Sequence, residues 1–185
     1  PGRSRPRRGD QAPTSVDPQT QPQDRSRTPE PLPALAAMRA VTGHPFMRLI
    51  SGYGNAALYF TEYFRVLPDS RLDKEILASI TENPTGRPVI AQMIGNDIAA
   101  LVRTARELQQ HPVAAIDLNL GCPVPVVYRN CAGGGLLRDP ERLAESLGAL
   151  PAATATPFTV QPRNGAEPAR DRDREAAHLS ARPPP

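Results

Sequence analysis

Over residues 34–160 the chain alternates short, nearly continuous apolar runs with stretches whose apolar side chains recur every three or four positions. This alternation limits the possible folds more than any other feature. LPALAAM (32–38), AALYFTEYF (56–64), PVIAQMIG (88–95), AAIDLNLG (114–121) and PFTV (157–160) have the length and composition of strands. HPFMRLISGYG, starting at His44, reads as a helix. A second helix follows Pro68, with Ser70 and Asp73 spaced like a capping box and Leu72, Ile76 and Ile80 on one face, and it ends near Asn83-Pro84. Asn96 or Asp97 caps a third, with Ile98, Leu101, Val102, Ala105 and Leu108 on one stripe. Asp139, followed by Pro140, caps a fourth, whose apolar face is Leu143, Leu147 and Leu150. GCPVPVVYRNCAGGG reads as a long glycine-rich loop. The predicted order is therefore βαβαβαβαβ. Strands apolar along their whole length, joined by helices, belong to parallel sheets covered by those helices, either doubly wound or barrel. No GxGxxG follows the first strand, and polar residues gather at the C-terminal strand ends, which suits the catalytic face of a barrel. The expected fold is an incomplete (β/α)8 TIM barrel of about five strands and four helices.

The flanks are of another character. Residues 1–33 hold eight Pro and six Arg, with Val16 and Leu32 as the only large aliphatics, and residues 161–185 hold Leu179 alone. Neither flank can bury a core, so both are expected to be disordered. The formal charge of +3 comes from these flanks, because residues 34–160 are neutral overall. Mixed-sign tails of this kind are usually solvated and make no argument for nucleic-acid binding on their own.

Cys122 and Cys131, the two cysteines, cannot form a disulfide framework, and no Cys/His spacing suggests zinc, so no metal is expected and a reducing cytoplasm is the natural setting. His44, His111 and His178 are scattered without ligand spacing. No apolar run is long enough to span a membrane, and the N-terminus lacks a signal-peptide pattern.

Few residues are placed to do chemistry. Asn119 and Cys122 stand at the end of the fourth strand, where the thiol is either a proton donor or a small buried hydrophobe. Gln92, on the third strand, offers a donor and an acceptor to a flavin or nucleobase edge, or else anchors a loop. Glu62 either supports the site from behind or pairs with an Arg such as Arg65. Gly133-Gly134-Gly135 lacks a Walker pattern and precedes Asp139, which would repel an anion, so it reads as a tight turn.

Taken in order, MRAVTGHPF, YFTEYF, PVIAQMIG, DLNLGCPVPVVYRNCAGGGLLRDP and PFTV resemble the tRNA-dihydrouridine synthases over about residues 34–160. DLNLGCP, followed by the glycine-rich loop and LLRDP, is the most specific part. The resemblance implies an FMN-bearing barrel that reduces a uridine of tRNA with electrons from NAD(P)H. By position, Cys122 would protonate the uracil ring at C5 while the flavin delivers hydride to C6, and Asn119 would hold the uracil or flavin edge. Ala36, Ala37 and Met38 match a flavin-contacting segment that normally reads Ala-Pro-Met, so Ala37 departs from the pattern. Gln92 matches a glutamine that contacts the isoalloxazine.

The likeness breaks after Val160. The family continues its fifth strand with a flavin-binding lysine, and this chain has Gln161-Pro162-Arg163. The sixth to eighth strands, their phosphate loops and the helical tRNA-binding domain have no counterpart here. The Arg/Pro/Ala-rich tail reads like GC-rich DNA in a shifted frame. Two unpaired sheet edges are expected to favour self-association, and the chain is expected to be inactive alone. The alternatives are a nonfunctional fragment, a half-barrel acting only through association, or another FMN barrel oxidoreductase.

Overall fold

The computed structural model describes residues 32–164 other than residue 55. Expectations placed on residues 1–31 and 165–185, His178 among them, lie outside the described residues. Six strands form one parallel sheet: β1 (Ala34–Leu35), β2 (Leu58–Phe60), β3 (Phe64–Arg65), β4 (Val89–Ile94), β5 (Ala115–Leu120) and β6 (Phe158–Pro162). The order is β1-β2-β4-β5-β6, with β3 also paired to β4, and the sheet curves into a half-barrel. Five α-helices connect the strands: α1 (His44–Tyr53), α2 (Lys74–Thr81), α3 (Ile98–Leu108), α4 (Pro125–Arg129) and α5 (Pro140–Ala153). No described helix is long and apolar enough to cross a membrane.

The caps are local events. Asp97 Oδ1 accepts from Ala100 N at 2.8 Å to start α3, and Asp139 Oδ1 accepts from Arg142 N at 3.0 Å to start α5. Ser70 does not serve α2 as the sequence spacing predicts. Its hydroxyl is engaged with Leu67 N and O, and Asp73 is the cap, accepting from Glu75 N and Ile76 N.

The AALYFTEYF run departs from a single strand. Tyr59 pairs with Val89 while Phe64 pairs with Met93, so five steps along one strand face four along the other. That extra residue is a bulge, and it has a consequence at β4. Thr61 N donates to Ile90 O at 2.9 Å, and Thr61 Oγ1, in place of a backbone carbonyl, accepts from Gln92 N at 3.1 Å.

The glycine-rich loop contains more structure than expected. Pro125 occupies the first turn of α4, where its fixed φ suits a helix start. Val127 of that turn packs with Tyr63, Ile94, Ala132 and Cys122, and this burial outweighs the weak helix preference of its two valines. Gly133–Arg138 then form a 3-10 turn, in keeping with the tight-turn reading of the three glycines. A Cβ on Gly135 would lie 2.3 Å from the Tyr128 carbonyl oxygen, so no side chain fits there.

Alternation along the strands sorts the side chains. Val89, Ala91 and Met93 of β4, with Ile116, Leu118 and Leu120 of β5, join Leu101, Ala105 and Leu108 of α3 and Leu143 and Leu150 of α5 in the main core between sheet and helices. The intervening residues Gln92, Asp117, Asn119, Thr159 and Gln161 therefore face the concave side.

Candidate active site

On the concave face, Gln92, Asp117 and Thr159 stand side by side in register across β4, β5 and β6, and Asn119 and Gln161 form the next row toward the C-terminal ends. Their side chains make a continuous hydrogen-bond chain. Thr159 Oγ1 donates to Asp117 Oδ1 at 2.6 Å, and Gln92 Nε2 donates to Asp117 Oδ2 at 2.9 Å. Gln92 Nε2 also donates to Gln161 Oε1 at 2.7 Å, and Gln92 Oε1 accepts from Asn119 Nδ2 at 2.9 Å. Asn119 Oδ1 then accepts from the backbone N–H of Gly121 at 3.1 Å and of Cys122 at 2.9 Å.

Gln92 is fully buried, and Asp117 is 1% exposed. Desolvation lifts the Asp117 carboxyl above the ordinary carboxylate range, while its hydrogen bonds from Thr159 and Gln92 act in the opposite sense. Among the described residues no Arg, Lys or His forms an ion pair with it; the pair that does form is His44 with Glu82, at 3.5 Å.

Cys122 is half-buried and packs against the cluster of Tyr63, Ile94, Val127 and Ala132. Its carbonyl accepts from Gly134 N at 3.1 Å, and Gly133, at φ +54°, comes so close that an added Cβ would sit 3.0 Å from Cys122 Cβ. Here glycine is required both by the left-handed backbone and by the contact. Cys122 is thus held from two sides, by Asn119 through its N–H and by the glycine turn through its C=O. Cys131 lies on the same loop with φ at 50° and has no polar side-chain partner among the described hydrogen bonds.

The structure thus joins Gln92, Asn119 and Cys122 in one unit. It keeps Ala36, Ala37 and Met38 apart from that unit: they follow β1, Met38 is 60% exposed, and no described hydrogen bond connects them to it. Thr42 Oγ1 ties their segment into a turn by accepting from Met38 N at 2.8 Å and donating to Met38 O at 3.1 Å. Glu62 Oε2 accepts from Ala40 N at 2.8 Å and so braces this same loop rather than pairing with Arg65. A cleft of about 1000 Å³ opens beside it, lined by Arg39, His44, Glu62, Tyr63, Arg65 and Arg71 among others. Tyr63, beneath the Arg39 guanidinium at 5.4 Å, forms part of both the cleft wall and the cluster around Cys122.

Asp117, Thr159, Gln161 and Thr61 had no role in the sequence reading. A signal for three of them was present: in AIDLNL and FTVQ the polar residues fall at two-residue spacing, which places them on one face of each strand. Among the described residues no group of three or more His, Cys, Asp or Glu could hold a metal ion.

Comparison with known proteins identifies the family. The profile of the dihydrouridine synthase (Dus) family matches residues 34–182, so the likeness extends past Val160, where the sequence reading has it break. The chain is 33% identical over 147 residues to "tRNA-dihydrouridine synthase B" of Yersinia pestis, covering 78% of this chain and 45% of that protein. It is 33% identical over 133 residues to the protein of the same name from Pseudomonas aeruginosa, covering 71% and 39%, and 31% identical over 148 residues to that of Proteus vulgaris, covering 80% and 45%. The chain spans less than half the length of these relatives. Because the family match takes in every described strand and helix, the hydrogen-bonded Gln92, Asn119 and Cys122 included, the chain belongs to the dihydrouridine synthase family.

Proposed function

We propose that this chain carries the Cys122 half of a tRNA-dihydrouridine synthase barrel, which reduces the C5–C6 double bond of a uridine in tRNA with FMN and NAD(P)H. The observation that carries the reading is the clamp on Cys122: a half-exposed thiol whose backbone is fixed by Asn119 on one side and the glycine turn on the other.

The donor set suits the edge of a flat heteroaromatic ring. Asn119 keeps one N–H beyond the one given to Gln92, and the Gln161 amide nitrogen has no partner among the described hydrogen bonds. Gln161 stands on the concave face beside Asn119, at the strand position where the resemblance expects a lysine. Gln92 has both N–H groups committed to Asp117 and Gln161, so in this reading it acts through its carbonyl oxygen and through its hold on Asn119. Ala36, Ala37 and Met38 would supply backbone contacts to the flavin from the exposed end of β1. When bound, FMN supplies the hydride that NAD(P)H provides.

The protein's own contribution is placement and proton supply. Cys122 gives its thiol proton to C5 of the uracil and regains one from solvent. Asn119 and Gln161 orient the ring through amide hydrogen bonds. Tyr63, Ile94, Val127 and Ala132 keep water from the buried side of the thiol, which strengthens the polar contacts that remain. A reaction on tRNA with NAD(P)H fits a cytoplasmic setting.

The test is a chromosomal Cys122→Ala substitution in the native host, followed by mass spectrometry of dihydrouridine in purified tRNA. The expected result is loss of dihydrouridine at one or more positions. Unchanged dihydrouridine throughout the tRNA pool refutes the reading.

A further inference from the structure

We propose that Asp117 is a positioning residue: it terminates the hydrogen-bond chain Asp117–Gln92–Asn119 and so holds Asn119 Oδ1 on the backbone N–H groups of Gly121 and Cys122. The inference deepens the reading of Cys122 given above and rests on it for its functional meaning.

The direction of the chain follows from chemistry at its two ends. Backbone N–H groups can only donate, so Asn119 must turn its oxygen toward Gly121 and Cys122, at 3.1 and 2.9 Å. Its nitrogen is then left to donate to Gln92 Oε1 at 2.9 Å, which forces the Gln92 nitrogen toward position 117. That position must accept, and a carboxylate accepts at both oxygens. Were the Gln92 amide reversed, its nitrogen would face the Asn119 nitrogen and its oxygen would face the Asp117 carboxylate. The backbone of Gln92 is pinned as well, through Thr61 Oγ1, so the side chain cannot escape by sliding along the sheet.

A buried acid is a poor way to stabilise a sheet. Asp117 is 1% exposed and has no described cationic partner, and burial works against its charged form. A leucine of similar size would pack at this position without that cost. What leucine lacks is one of the two acceptors of the Gln92 nitrogen, and the only one of the two that cannot turn a donor toward it. Gln161, the other, is an amide that can present its nitrogen instead, so the fixed direction that reaches Cys122 depends on the carboxylate.

The experiment uses the full chain and needs neither flavin nor tRNA. Amide hydrogen exchange is followed at Gly121 and Cys122, with Ile116 and Leu118 of β5 as internal references, and iodoacetamide alkylation of Cys122 is timed in a Cys131→Ser background. Asp117→Leu should keep the reference amides protected, yet speed exchange at Gly121 and Cys122 about tenfold, the value of one hydrogen bond, and change the alkylation rate. Asp117→Asn keeps an oxygen for Gln92 and turns its nitrogen to the Thr159 hydroxyl, so it should stay within about threefold of the parent. In a Gln92→Met background, Asp117→Leu should add nothing further, because the connection is already cut. Parent-like exchange at Cys122 in Asp117→Leu overturns the proposal, and so do independent, multiplying effects of Asp117→Leu and Gln92→Met. If Asp117→Leu does not fold, Gln92→Met decides alone, with faster Cys122 exchange in support and unchanged exchange against. An overturned Asp117 leaves the tRNA test of Cys122 standing, whereas unchanged dihydrouridine in that test removes the thiol's role without altering these exchange rates.

Discussion

Replacing Asn119 by leucine, a residue of nearly the same shape, removes both polar side-chain atoms by which this position ties the concave face to the Cys122 loop. In the parent protein Asn119 satisfies three groups: the N–H of Gly121, the N–H of Cys122 and the Gln92 carbonyl oxygen. The last belongs to a fully buried side chain, and an unpaired acceptor there costs about 2 kcal/mol. The two N–H groups lie on half-buried residues that water can partly reach, so together they lose about 1–2 kcal/mol. The new apolar side chain at an 8% exposed position returns about 1 kcal/mol through burial. The net loss is about 2–3 kcal/mol, or roughly 4–12 °C in melting temperature for a chain of this size. Urea unfolding of the full chain at pH 7, read by circular dichroism, measures it, with Thr159→Val as the comparison. Thr159→Val removes one partly exposed hydrogen bond and should cost about 1 kcal/mol. If Asn119→Leu costs no more than Thr159→Val, the concave row is not the continuous polar unit described here, and the hold on Cys122 is not a substantial one.

Two glycines should respond in opposite ways to alanine. Gly135→Ala forces a Cβ to within 2.3 Å of a backbone oxygen and should destabilise by about 3 kcal/mol, whereas Gly148→Ala, inside α5 with nothing within 4 Å, should stabilise by about 0.5–1 kcal/mol; the same urea series reads both, and equal effects would contradict the packing of the glycine turn. The Asp117 carboxyl gives a signed pH dependence. Its folded pKa is raised, so the folded state holds the proton more firmly, and the stability it contributes is present at acid pH and lost as pH rises through the raised pKa. Measured from pH 4 to 8, the stability of the parent relative to Asp117→Asn should therefore fall with increasing pH, and parallel curves would contradict the burial of the acid.

How much of this was legible in advance depends on the range of the interactions. The caps of α3 and α5 join residues three apart, and the apolar stripes of the helices have the helical period, so both could be read from neighbouring letters. The same holds for the parallel α/β class, since a run such as VIAQMI is long enough to be buried on both faces. Resemblance to the dihydrouridine synthases likewise rests on short contiguous motifs around Asn119 and Cys122. By contrast, Gln92 meets Asp117, Asn119 and Gln161 across 25, 27 and 69 residues, and no local pattern sets which amide faces which acceptor. The bulge at Thr61, the helical turn after Pro125 and the continuation of β6 through Gln161 and Pro162 also came from pairing and burial against distant partners; Pro162 is tolerated there because it closes the outermost described strand. Sequence alone determined the five apolar strand runs, the four connecting helices and the lineage, because propensity, capping and periodicity act over a few residues. Only the tertiary structure decided that Asp117 is joined to Asn119 and Cys122 through Gln92, because that connection exists only after β4 and β5 have come into register.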